Sequence, residues 1–154
     1  MMVTGKLITR EMLFCSLIGL LAACSSTPDK PEPVAATNEL PDALTATNWK
    51  VDKIYENDAD AAVSTLRFAE NDKVGGNAGC NNFSGQVTRE GTSIDFGLLA
   101  TTRKMCEPAV NGQERAYLEA LDAVSSWSRI GGQLKLADEE GVTVIKLQAF
   151  KEDD

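Results

Sequence analysis

The sequence predicts an α+β domain in which a mostly antiparallel, strongly curved β-sheet packs on one helix. Three observations lead to this fold class. Short stretches that alternate apolar and polar residues, the period of a half-buried strand, recur between Trp49 and Phe150. Turn-forming Gly, Asn and Asp separate them. One stretch alone has helical spacing: Tyr117, Leu118, Leu121 and Val124 fall on one apolar face. A single helix set before the last three of many strands fits α+β better than alternating βα units.

Along the chain, Trp49, Val51 and Lys53 alternate with polar neighbours and Ile54 follows, giving a first strand. Leu66 and Phe68 mark a second, and Glu70-Asn71-Asp72 turns it into Lys73-Val74-Gly75. Phe83–Thr88 and Ser93–Phe96 read as strands joined by Arg89-Glu90-Gly91. Asn111 with Glu114 three residues on matches a helix N-cap and its partner, and Pro108 breaks the chain upstream. Trp127–Ile130, Gln133–Leu136 and Val142–Phe150 are the final strands. Gly131-Gly132 makes the first of their connections a tight hairpin, and Asp138-Glu139-Glu140-Gly141 forms the second.

Composition narrows the function. The chain has 154 residues and a net charge of -8, which suits one domain and disfavours a nucleic-acid partner, since phosphate contacts need clustered Lys and Arg. It contains 0 His, so Ser-His-Asp and Cys-His catalysis and imidazole metal ligation are excluded. No metal or cofactor is expected. Catalysis by carboxylates or a lone thiol remains as a minor alternative.

The N-terminus reads as an address. Lys6 and Arg10 precede the ten-residue apolar run Met12–Leu21, which is too short to span a bilayer and suits a secretory signal. Leu21-Ala22-Ala23-Cys24 resembles the bacterial lipobox. That resemblance implies a signal peptide of residues 1–23 and a diacylglyceryl-modified, palmitate-type lipid anchor on Cys24. Ser25 resembles the residue that permits sorting to the outer membrane, so a periplasm-facing, lipid-anchored location is expected. The alternative is a secreted protein cut after Ala23 with an unmodified Cys24. Loss of Lys6, Arg10 and Glu11 with the signal takes the net charge from -8 to -9. Residues 24–43 carry Pro28, Pro31, Pro33 and Pro41 and almost no large apolar side chain, the composition of a tether. The domain is expected over residues 44–154.

With Cys15 in the signal and Cys24 lipidated, Cys80 and Cys106 remain as an even pair in an oxidising compartment, and a disulfide is expected. The alternative, a redox-active pair, lacks C-x-x-C spacing and any His to lower a thiol pKa.

Gly76-Asn77-Ala78-Gly79-Cys80-Asn81-Asn82-Phe83-Ser84-Gly85 is the most distinctive stretch. Gly79 and Gly85 suit positive φ or close backbone approach around a bend, the Asn81 amide can satisfy loop backbone groups, and Phe83 enters the core. The sharper alternative is a ligand-binding role for Asn81 and Asn82. The stretch resembles the G-x-x-G-C-N-x-F-x-G signature of the META-domain family, to which HslJ-type heat-shock lipoproteins belong. Thr102-Arg103-Lys104-Met105-Cys106 resembles the family's T-x-x-x-C element, and Glu114–Leu118, Gly132–Leu136 and Trp49 match its helix start, following strand and opening Trp. Val87 departs from it, standing where many members carry an aromatic. The family motif therefore maps to Gly76, Gly79, Asn81, Phe83, Gly85 and Thr102, beside Cys80 and Cys106. The resemblance implies envelope stress, heat shock, novobiocin resistance and, in some members, motility, and a shape similar to a small β-barrel pilot lipoprotein that holds an acyl chain. It brings no catalytic residue.

Weaker signals resolve to bland readings. An EF-hand loop from Asp58 needs Gly where Val63 stands and Glu where Ala69 stands. Gly75–Gly79 lacks the G-x-G-x-x-G spacing of a phosphate cradle. The sequence thus leads to a non-enzymatic outer-membrane lipoprotein of the META type, monomeric, contributing to envelope stress tolerance by binding an envelope protein or lipid. The alternative is a carrier of a lipid or small hydrophobe in a cavity lined by residues such as Leu66, Phe68, Leu121 and Trp127.

Overall fold

The computed structural model describes residues 42–151. The expected signal peptide, the lipid site Cys24 and nearly all of the tether lie outside the described residues. Within them a short helix α1, Asp42–Thr45, precedes β1, Asn48–Ile54, and already buries Leu44 completely. The strands that follow are β2 (Asn57–Asp58), β3 (Thr65–Ala69), β4 (Lys73–Asn77), β5 (Asn82–Glu90), β6 (Ser93–Phe96) and β7 (Ala100–Thr101). Helix α2, Pro108–Asp122, leads into β8 (Ser126–Ile130), β9 (Gln133–Ala137) and β10 (Thr143–Phe150).

The sheet is more than strongly curved: it closes. The strands are ordered β1-β3-β4-β5-β6-β8-β9-β10, and β10 pairs back onto β1 from Asn48↔Phe150 to Ile54↔Ile145. Closure pairs the two strands that an open sheet would leave as edges. All pairings are antiparallel, and β2 and β7 are short additions to β1 and β5. The seam between β6 and β8 is the thinnest, joined at Ser93↔Ser126, with Trp127 N–H donating to Thr92 O at 2.9 Å and Ile94 N–H to Ser125 O at 3.0 Å.

Alternation decides which side chains fill the barrel. Trp49, Val51, Leu66, Phe68, Leu134, Leu136, Ile145 and Leu147 are all buried. A register shift between Val51 and Lys53 in the β1–β10 ladder, a β-bulge, brings Ile54 rather than Lys53 onto the inner face. Each such side chain contributes about 1.5–3 kcal/mol of apolar burial. Asn71 and Asp72 supply positive φ in the β3–β4 turn, and Gly131 does so in the two-residue β8–β9 hairpin. Strand β5 runs to Glu90, two residues further than its alternation indicated, so the turn is Gly91-Thr92.

Helix α2 sends Tyr117, Ala120 and Leu121 into the same core, with Phe83 edge-on to Tyr117 at 5.8 Å between ring centroids. It lies across the end of the barrel at which β3 and β5 begin. There Gln113 Nε2 donates to Ala62 O at 2.7 Å and to Ser64 Oγ at 3.0 Å, and Tyr117 Oη donates to Thr65 O at 3.3 Å. The expected sheet packed on a helix is thus a closed barrel whose strands supply most of the core, with the helix over one end completing it. The helix also starts earlier than expected. Pro108 opens it after an extended Glu107, since its fixed φ and missing N–H suit the first turn. Asn111 is no cap: its side chain exchanges hydrogen bonds with the backbone of Cys106, at 3.3 and 2.8 Å. Trp127, expected in the core, is half-buried and packs on the core from outside.

Candidate functional site

The glycine-rich motif bends the chain between β4 and β5 and brings distant segments to it. Gly76 lies so close to β3 that a Cβ there meets Thr65 O at 2.1 Å, a contact no side chain tolerates. Gly79 holds φ +115°, a conformation open mainly to glycine, and its N–H donates to Asn77 Oδ1 at 2.7 Å. At Gly85 a Cβ meets the Leu99 side chain at 2.7 Å and Leu98 O at 2.9 Å, so the loop after β6 crosses β5 there. Cys80 and Cys106 form a disulfide with Cα atoms 6.0 Å apart, tying the bend to the segment before α2.

Asn81 sits at the centre and is 3% exposed. Its Oδ1 accepts from Lys104 N–H at 2.6 Å and Thr102 Oγ1 at 2.8 Å. Its Nδ2 donates to Lys104 O at 3.2 Å and Glu114 Oε1 at 2.8 Å, and its backbone N–H donates to Glu114 Oε2 at 2.6 Å. An amide side chain has two donors and two acceptor lone pairs, and here all are engaged inside the fold. Thr102 Oγ1 accepts in turn from Asn82 N–H at 3.2 Å.

Among the predicted residues, then, the fold gathers Gly79, Cys80, Asn81, Thr102 and Cys106 at one end of the barrel. Gly76 and Phe83 face one another across β4 and β5, with Phe83 buried, and Gly85 belongs to a separate contact further along β5. Asn82 points to solvent, its Oδ1 accepting from Asn77 Nδ2 at 2.9 Å. Glu114 was legible only as a cap partner. Its pairing with Asn81 crosses 33 residues, and nothing local in the sequence signals it. Among the described residues, Tyr117 is the buried titratable side chain touching this end, and burial pushes its phenol well above the ordinary range. The acids of Asn57–Asp60 gather no ligand set: Asn57-Asp58 pairs with β1, and Asp58 accepts from Lys53 Nζ.

The residues expected to line a ligand cavity are also accounted for. Leu66, Phe68 and Leu121 are at most 1% exposed and belong to one packed core with Tyr117 and Leu136.

The comparisons with known proteins agree with this geometry. A solution NMR structure of a protein from Burkholderia xenovorans superposes with a TM-score of 0.57 at 25% identity, covering 82% of this chain and 100% of that one. A second NMR structure matches with a TM-score of 0.57 at 23% identity, over 71% of this chain and 93% of the other. A crystal structure of a DUF4847-family protein from Bacteroides vulgatus shares the fold, with a TM-score of 0.54 at 15% identity over 73% of this chain and 98% of that one. No curated protein matches the chain in sequence. The META-domain family model matches residues 42–151, the whole of the barrel and its helix. The chain belongs to the META-domain family.

Proposed function

We propose that this protein is a non-enzymatic, lipid-anchored META-domain protein that presents its barrel at the periplasmic face of the outer membrane and contributes to envelope stress tolerance by binding there. The observation that carries the reading is the saturation of Asn81: the most distinctive motif spends its polar groups on holding loops and helix together. A catalytic or ligand-binding amide keeps a donor or acceptor free for its substrate; this one keeps none. The function therefore lies on the outer surface of a rigid domain, and the lipobox-like Leu21-Ala22-Ala23-Cys24 supports attachment through Cys24. Several acyl chains hold a protein on a bilayer stably even when its body is acidic.

The carrier alternative needs an accessible apolar cavity, and the complete burial of Leu66, Phe68 and Leu121 against the core speaks against it. Native mass spectrometry of residues 25–154, exported to the periplasm and purified without detergent, separates the two. A bare monomer lacking two hydrogens supports surface binding; a co-purified acyl mass moves the carrier reading to first place.

A further inference from the structure

The outer wall of the barrel holds a feature that the buried motif does not use. Strand pairing sets one transverse row across it: Phe150 opposite Asn48, Asn48 opposite Arg67, Arg67 opposite Gly75, and Gly75 opposite Ser84. The row shares one face of the sheet, and its neighbours Trp49, Leu66 and Val74 fill the interior, so it faces out. Gly75 has no side chain and Ser84 a small one. Between Arg67 and Phe150 on one side and Lys73 on the other they leave a groove of about 440 Å³.

The charge of this groove opposes that of the chain. None of the described residues lining it is acidic, while Arg67 and Lys73 are basic, and Lys50 stands in the next row opposite Thr65. All three cations are exposed, and no ion pair among the described residues neutralises them. On a chain of net charge -8 this is a local reversal of sign. Arg67 offers a planar fork that matches phosphate oxygens, Lys73 and Lys50 add point charges, and Phe150 supplies an apolar wall. The position matters too. The described chain starts with α1, six residues before Asn48 in the groove, and α1 packs against β3, whose Leu66 and Arg67 line the groove.

We propose that this groove receives the phosphate of an anionic phospholipid headgroup in the bilayer that carries the Cys24 anchor. The inference rests on the lipid-anchor reading for its location and adds an orientation to it: Arg67, Lys73 and Phe150 face the lipid. Anchoring through Cys24 keeps the domain near the bilayer at an effective concentration of order millimolar, so a weak site suffices.

The barrel, helix and disulfide lie wholly within residues 42–151, so residues 25–154 retain the fold and bind without help from the anchor. Its co-sedimentation with vesicles of phosphatidylcholine, with and without phosphatidylglycerol, is the test. Binding is expected only with phosphatidylglycerol, with amide NMR shifts at Arg67, Gly75 and Ser84. Arg67→Gln and Lys73→Gln each weaken it about fivefold, the effect of one basic residue near an anionic surface, while Arg115→Gln on α2 leaves it unchanged. Equal binding to both vesicles, or an equal loss from Arg115→Gln, overturns the proposal. So does inorganic phosphate shifting the same amides while vesicles do not, which marks a small-anion site instead. None of these results touches acylation of Cys24, which is read separately from the intact mass.

Discussion

Asn81 and Glu114 are held together by two hydrogen bonds, Nδ2 to Oε1 at 2.8 Å and backbone N–H to Oε2 at 2.6 Å. Through them the bend before β5 is fastened to the first half of α2, while Lys104 and Thr102 fasten the same amide to the intervening segment. The disulfide beside it joins the bend covalently to the segment just before α2. The motif is therefore a clamp, and a clamp is tested by stability.

Asn81→Ala leaves Lys104 N–H and its carbonyl, and one oxygen of Glu114, without their partner in a part-buried site. Unsatisfied groups of this kind cost about 1–3 kcal/mol each, so a total loss of about 3 kcal/mol is expected. Urea denaturation reads it as a lower midpoint at unchanged slope. An unchanged midpoint contradicts the clamp and returns Asn81 to the candidates for ligand binding.

Two glycines should respond in opposite directions. Gly76→Ala drives a Cβ into Thr65 O in the middle of the sheet and should cost about 3 kcal/mol. Gly112 lies inside α2 with nothing near its Cβ position, so Gly112→Ala should stabilise by about 0.5–1 kcal/mol through helix propensity. Thermal melts of both variants check the pair.

Cys80→Ser opens a covalent loop with a sequence separation of 26, for which chain entropy gives a loss of about 3.5 kcal/mol. The melting temperature should fall in oxidising buffer, and mutant and wild type should nearly coincide once reductant is added. Equal melting temperatures without reductant sink the structural role of the bridge.

Tyr117 gives a pH dependence whose sign is fixed. Its phenol is raised above the ordinary value of 10.0 by burial, so the native state keeps its proton where the unfolded state loses it. Above about pH 10 the unfolded chain binds fewer protons than the native one, and stability falls as pH rises. Tyr117→Phe should flatten that alkaline slope, although it gives up the 3.3 Å hydrogen bond to Thr65 O. Urea midpoints at neutral and alkaline pH, compared for the two proteins, decide it.

Local periodicity revealed most of these strands because inward residues alternate and turns use Gly, Asn and Asp where φ is positive. Closure of the barrel was not legible in the local pattern, because the β1–β10 pairing joins the two ends of the domain and leaves no local mark. The helix start was misplaced because Asn111-x-x-Glu114 has the pattern of a capping box, while Asn111 bonds the backbone of Cys106 just upstream and Glu114 reaches across the fold to Asn81. Asn81 was identifiable as a satisfier of loop backbone; that its partners are Lys104, Thr102 and Glu114 is a property of the fold. The basic groove was hidden for the same reason. Arg67 and Lys73 look like ordinary solvated charges until register sets them around Gly75.

A surface-binding domain held to a membrane by Cys24 is tested most directly by the intact mass of the protein extracted from the membrane fraction. The expected mass is that of a chain that begins at Cys24, carries acyl groups on that residue and lacks two hydrogens for the Cys80–Cys106 bridge. An unacylated chain, or one that begins elsewhere, contradicts it.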